Sequence, residues 1–220
     1  MMALNEKKAG GFFLFLGAII ILITIIFEYK IGWIGTERLD SETPQFMLEN
    51  WDELRLIWAW QVLGYFLFIL AYLMILKEAK GYKRLFWSIL FIGGLLIISS
   101  FGFTLGSYFP ALEVYSQEPA IFNSIRGGVG VLYRSGQISL LFFVFIFLWE
   151  TFSSKGEIKK ETGIISISIF LGSLLIGFIT NLPIKVAGAT FFLLPMVIGY
   201  FYWAGGNKVS SEKQKDSRLA

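Results

Sequence analysis

The sequence predicts an all-α integral membrane protein, a bundle of six transmembrane helices with both termini in the cytoplasm. Three observations carry this. First, 55% of the 220 residues are hydrophobic and only 16% charged, against about 25% charged in a typical soluble domain. Second, the apolar residues come in blocks of about the ~20 residues a helix needs to cross the hydrocarbon core. Third, lysine and arginine are distributed unevenly between alternate gaps, which is the signal that orients membrane helices.

The blocks lie at 11–27, 55–77, 85–107, 130–151, 163–180 and 186–203. They are too long for strands, and an open strand edge would leave backbone groups unsatisfied in lipid. The first block follows a basic start and resembles a signal peptide. It runs into Phe27-Glu28-Tyr29-Lys30-Ile31 without a small-x-small cleavage site, so it reads as a retained span. Residues 1–204 are expected to form one transmembrane domain. Residues 205–220, polar and without an apolar stripe, are expected to be a disordered cytoplasmic tail.

Thirteen of the 19 basic residues fall on the side of the termini and six on the other. The plasma (inner) membrane, with the termini inside, is the expected location. The tryptophans are expected to add an interfacial belt, with Trp33, Trp51, Trp58 and Trp60 on the outer side and Trp87, Trp149 and Trp203 on the inner.

Two outer connections are long, at 28–53 and 108–128. In the first, Thr43-Pro44 reads as an N-cap followed by proline at the first helical position, starting a helix that runs unbroken into the second span. In the second, Pro110 and Pro119 read as starts of short helices, and Gly127-Gly128-Val129-Gly130 as a flexible joint. The shared grammar suggests duplicated hairpins, with Gln61 matching Gln137. Gly102/Gly106 and Ser173/Gly177 have the spacing of close helix contacts.

Two stripes are candidates for function. In span two, Trp51, Arg55, Trp58, Gln61 and Tyr65 recur at helical spacing. In span four, Arg126, Gly130, Arg134 and Gln137 share a face if the helix continues through the glycines. Arg55, Arg134, Gln61 and Gln137, walled by Trp58 and Tyr65, are expected to line an outward-open pocket for an anionic headgroup or other small amphiphile. Against this stands a structural reading in which Arg55 snorkels and Arg134 pairs with Glu113, with Glu113 and Arg126 clamping the outer loop to the bundle.

No cysteine or histidine is present, which removes thiolate chemistry, a His-ligated haem and Cys/His zinc sites from this chain. The carboxylates are dispersed along the loops, and no span carries one near its centre, so neither a catalytic dyad nor a proton-coupling site is expected. No cofactor and no metal is expected, and the basic gaps are explained by topology without nucleic acid. The expected partners are the bilayer, a bound lipid or amphiphile, and a membrane-protein partner or second copy. Non-enzymatic binding in the outer half ranks first, an accessory subunit of a larger membrane complex second, a small-solute transporter third and an enzyme last.

Overall fold

A computed structural model describes residues 5–179 and 188–205. The expected outer turn at Asn181-Leu182-Pro183-Ile184-Lys185 and the tail beyond Gly205 lie outside the described residues. The helices are α1 (Glu6–Lys30), α2 (Thr43–Glu49), α3 (Trp51–Glu78), α4 (Gly81–Glu113), α5 (Pro119–Leu140), α6 (Phe142–Phe152), α7 (Lys160–Ile179) and α8 (Leu193–Ala204), with a 3₁₀ turn at Thr190–Phe192 leading into the last. Five helical stretches are long and apolar enough to cross a membrane, with α5 and α6 counted as one, and α8 with its 3₁₀ turn forms a shorter apolar helix. The start of α1, the end of α3 and the end of α8 meet at what we term the terminal end. The α1–α3 and α4–α5 connections form the loop end.

Pairs of glycines set the packing. A Cβ placed on Gly17 of α1 would lie 2.7 Å from the Gly64 carbonyl oxygen of α3. One on Gly199 of α8 would lie 2.7 Å from the Gly11 oxygen of α1, and one on Gly136 of α5 would lie 2.7 Å from the Gly93 oxygen of α4. Backbone approaches backbone at all three crossings, which only a residue without a side chain allows and which favours helix association in lipid. Gly102 and Gly106, the spacing singled out in α4, face open space instead. Gly177 is buried, and Ser173 meets Thr190 of the 3₁₀ turn.

The two glycine-crossed hairpins repeat one another. Leu14, Phe15, Gly17, Ile21, Thr24 and Phe27 of α1 correspond to Leu90, Phe91, Gly93, Ile97, Ser100 and Phe103 of α4. Leu14 and Leu90 are both fully buried, and the Thr24 and Ser100 hydroxyls each donate to a carbonyl three residues back at 2.7 Å. The crossings pair Gly64 with Gly136, so Gln61 corresponds to Tyr133 and Tyr65 to Gln137, a register different from a Gln61–Gln137 match. A third echo, Phe170-Leu171-Gly172 in α7 with Val197-Ile198-Gly199-Tyr200-Phe201 in α8, matches Phe15-Leu16-Gly17 and Val62-Leu63-Gly64-Tyr65-Phe66. There the geometry diverges: Gly172 faces open space while Gly199 is spent on α1.

Several local expectations are corrected. The helix from Thr43 breaks at Asn50 (φ −114°, ψ 24°), whose side-chain amide donates to the Phe46 carbonyl at 2.9 Å beside its own backbone N–H at 3.1 Å. Thr43 is inside α2 and donates to the Leu39 carbonyl, leaving Glu42 at the cap position. Pro110 lies within α4. The hydrogen bond it cannot make frees the carbonyl of Gly106, an exposed residue, while Ala111 and Leu112 beyond it are buried.

Pro119 does begin α5, but the four-residue glycine stretch is helical throughout, because packing of Phe122, Gly136 and Leu140 outweighs weak intrinsic propensity. The interruption comes later, at Leu141, after the Ser139 hydroxyl turns back onto the Gly136 carbonyl at 2.6 Å. Trp51, Trp58 and Trp87 are buried rather than lying in an interfacial belt, whereas Trp60, Trp149 and Trp203 are about half exposed.

At 1.5 Å per residue α4 is about 50 Å long, against a ~30 Å hydrocarbon core. At the loop end its last turns and the start of α5 are joined by Tyr108–Phe122 and Tyr115–Phe122 edge contacts.

Gly199→Val is expected to lower the thermal stability of the detergent-solubilised protein by at least the ~1–3 kcal/mol typical of overpacking. Gly127→Val, at a position facing open space, is expected to change it little. Equal melting temperatures for the two variants would contradict the crossing geometry.

Candidate functional site

Buried polar side chains gather in two places. The first is at the loop end, between the two repeated hairpins. Glu28, one turn after Thr24 on α1, is 7% exposed, and Trp58 of α3 donates to its carboxylate at 3.0 Å. Its backbone carbonyl accepts from Trp33 and Ile34 at 2.9 and 3.3 Å, folding the following loop back over the helix end. Trp33 packs edge-on against Trp58 and stacks on Phe46, whose ring carries the Arg38 guanidinium 3.6 Å from its centroid.

From Trp58 the same face of α3 presents Gln61 and Tyr65, both buried. The Tyr65 hydroxyl interacts with that of Tyr133 on α5, and the Gln137 amide reaches the same Tyr133 hydroxyl. Tyr65 and Tyr133 also flank the ring of Phe101 on α4. Gln61 is 5% exposed, and its amide is not among the fully buried side-chain atoms that lack a partner among the described residues, which are the Tyr72 hydroxyl, Trp87 Nε1 and the Thr151 hydroxyl. Along the helix axes, Gln61 lies about 25 Å and Glu28 about 33 Å from the terminal end, near the far edge of a ~30 Å slab.

The structure thus brings Trp58, Gln61 and Tyr65 together on a buried face, with Gln137 exposed on α5 and joined to it through Tyr133, and leaves the arginines outside it. Arg55 is exposed on α3. It lines a surface groove with Trp51, Phe109, Glu49, Asp52 and Glu53, and three carboxylates beside one guanidinium make poor surroundings for an anion. Arg134 is exposed on α5, away from the buried face that carries Phe122, Gly136 and Leu140, and no carboxylate lies within ion-pair distance of it among the described residues. The loop clamp is between Arg126 and Asp40 at 3.1 Å. Glu113 is exposed and takes no part.

The second gathering is at the terminal end. Glu150, fully buried at the end of α6, accepts from Lys83 of α4 at 2.5 Å and from the Tyr202 hydroxyl of α8 at 2.7 Å. Its other oxygen takes the Glu157 backbone N–H at 3.0 Å, and its carbonyl takes that of Ile158 at 3.1 Å. Lys7 of α1 pairs with Glu157 and lies 4.3 Å from the centroid of the Tyr202 ring. One carboxylate therefore ties α4, α6, α8 and the turn after α6 together, with α1 joined through Lys7. Between the two gatherings lies an aromatic plug of Phe68, Tyr72, Trp87 and Phe143, with ring centroids about 6 Å apart.

Neither buried carboxylate stood out in the sequence. Each is the last acidic residue of an apolar block, indistinguishable by pattern from a solvated helix end. The only available signal was an acidic residue with aromatic neighbours at the span boundary, in Phe27-Glu28-Tyr29 and Trp149-Glu150.

No protein-family model matches the chain, and no match was found among curated proteins or solved structures.

Glu150→Ala is expected to destabilise the protein by about 3 kcal/mol, since it leaves a lysine beside a buried, uncompensated site. Glu150→Gln, which retains an acceptor, is expected to cost less. Thermal unfolding of both in detergent checks the order. Trp58→Phe keeps the ring and removes the N–H donated to Glu28, with an expected loss of roughly 1–3 kcal/mol.

Proposed function

We propose that this is a multi-pass protein of the plasma membrane, termini inside, that binds a small amphiphile without chemical change in its outer half, between the two repeated hairpins. The observation that supports this best is the polar neighbourhood itself, with Gln61, 5% exposed, set between the Trp58–Glu28 pair and the Tyr65–Tyr133–Gln137 group. Polar side chains gathered among aromatic walls offer donors and acceptors to a headgroup at the edge of an apolar bundle.

The position is also consistent with ligand sites in membrane proteins built from parallel repeats, which lie at the interface between the repeats. The aromatic walls suit the junction of an apolar tail and a polar head. On this reading Gln61, Tyr133 and Gln137 bind the headgroup, Trp58 and Tyr65 wall the site, and Arg134 flanks its entrance. The aromatic plug and the Glu150 cluster close the opposite end, which favours binding over passage of a solute.

A second reading, an accessory subunit of a membrane complex, draws on α5, which packs mainly on α4 and exposes Ser124, Gly127, Gly128 and Ser135 beside Arg134. A charge on a face of small residues is the kind of feature a neighbouring helix covers.

Native mass spectrometry of gently extracted wild type, Gln61→Leu and Arg134→Ala distinguishes the two. A small bound species that Gln61→Leu loses at least tenfold is the expected result. A partner chain lost only in Arg134→Ala favours the subunit reading, and a bare protein in all three overturns both.

A further inference from the structure

The third hairpin leaves a furrow that the first two do not. In α7 the glycine that would make the crossing, Gly172, faces open space, and α7 and α1 do not touch each other among the described residues. Both lean on α8 from different sides. Between them runs a furrow of about 330 Å³, lined by Phe15 of α1, Met196, Val197, Tyr200 and Phe201 of α8, and Lys159 and Thr162 at the start of α7. The volume is roughly eleven times a liquid water's share, on the scale of a hydrocarbon chain segment. Measured along α1 and α8 it reaches about 12 Å inward from the terminal end.

The lining is graded. The deep wall is apolar, whereas the mouth holds the Lys159 ammonium and the Thr162 hydroxyl. Lys155 and Lys160 are exposed on either side of Lys159, and of the two nearby carboxylates Glu157 is already paired with Lys7, leaving Glu161 exposed. The mouth therefore carries net positive charge at the depth where phosphates of the surrounding leaflet lie, above a slot open to lipid. A furrow of this kind cannot stay empty in a bilayer without losing dispersion contacts along its walls.

We propose that this furrow is a binding site for one anionic phospholipid, with the headgroup phosphate at Lys159 and Thr162 and one acyl chain along Phe15, Val197 and Tyr200. The site is separate from the Gln61 neighbourhood and does not depend on it. Net positive charge selects anionic over zwitterionic headgroups, and the apolar slot supplies affinity common to both.

The test uses the full-length protein in a non-ionic detergent, titrated with dioleoyl phosphatidylglycerol or dioleoyl phosphatidylcholine and read by native mass spectrometry. Wild type is expected to bind phosphatidylglycerol at least fivefold more tightly than phosphatidylcholine. Lys159→Glu, at an exposed position, is expected to abolish that preference while leaving phosphatidylcholine binding unchanged. Val197→Trp, which fills the slot, is expected to weaken both lipids. Equal binding of the two lipids by wild type, or an undiminished preference in Lys159→Glu, overturns the proposal.

Discussion

The whole arrangement depends on backbone meeting backbone at three glycine crossings. In lipid, apolar side chains gain nothing by leaving one hydrocarbon for another, so helices associate through close packing. Gly17 with Gly64, Gly11 with Gly199 and Gly93 with Gly136 supply it. Together they make α1 the hub between α3 and α8, and bind α5 to α4. At the α3–α4 contact, by comparison, Gly94 lies against the large side chains of Ile69 and Tyr72. The crossings bring α3 and α5 close enough for Tyr65 to reach Tyr133, so the polar neighbourhood at the loop end is a product of the glycines.

Hydropathy made the class of fold legible, since block length and composition respond to the bilayer directly. The third and fourth blocks, 85–107 and 130–151, fall inside Gly81–Glu113 and the α5–α6 stretch respectively. Local punctuation was less readable. Pro110 and the Gly127–Gly130 stretch are breakers by propensity, yet both lie in helix because the neighbouring turns are held by tertiary contacts that no local window contains. Asn50 shows the converse, an unremarkable residue at which the backbone leaves helical geometry while its side chain and its own N–H both bond the Phe46 carbonyl. Gly102/Gly106 matched a spacing rule and packs nothing, while the glycines that do pack are spread over five helices, two of them on α1, and can be matched only across the chain.

The candidate site was legible in part. Helical spacing placed Trp58, Gln61 and Tyr65 on one face, and all three are buried on it. Arg55, grouped with them by the same spacing, lies at the exposed margin of that face. A 100° step locates a stripe, but not which edge of the stripe the bundle covers. Arg134 drew attention by its cost in lipid, and it is the chain's own Tyr133, one residue earlier, that turns inward. Glu28 escaped notice because a carboxylate at the end of an apolar block reads as the first residue in water. Only the return of the Trp33–Ile34 segment over it, through two backbone hydrogen bonds to its own carbonyl, makes it an interior residue.

That returning segment, α2 and the overhanging ends of α4 and α5 together form a roof. The Glu28–Gln61 neighbourhood sits near the waterline of the bilayer, where a bare helix end would be wet. Its shelter is proteinaceous, since α4 is about 20 Å longer than the ~30 Å hydrocarbon core. A molecule resting there would feel a polarity set by the roof and not by its depth in lipid. Its surroundings would then stay much the same in thin and thick membranes, as long as the canopy stays closed.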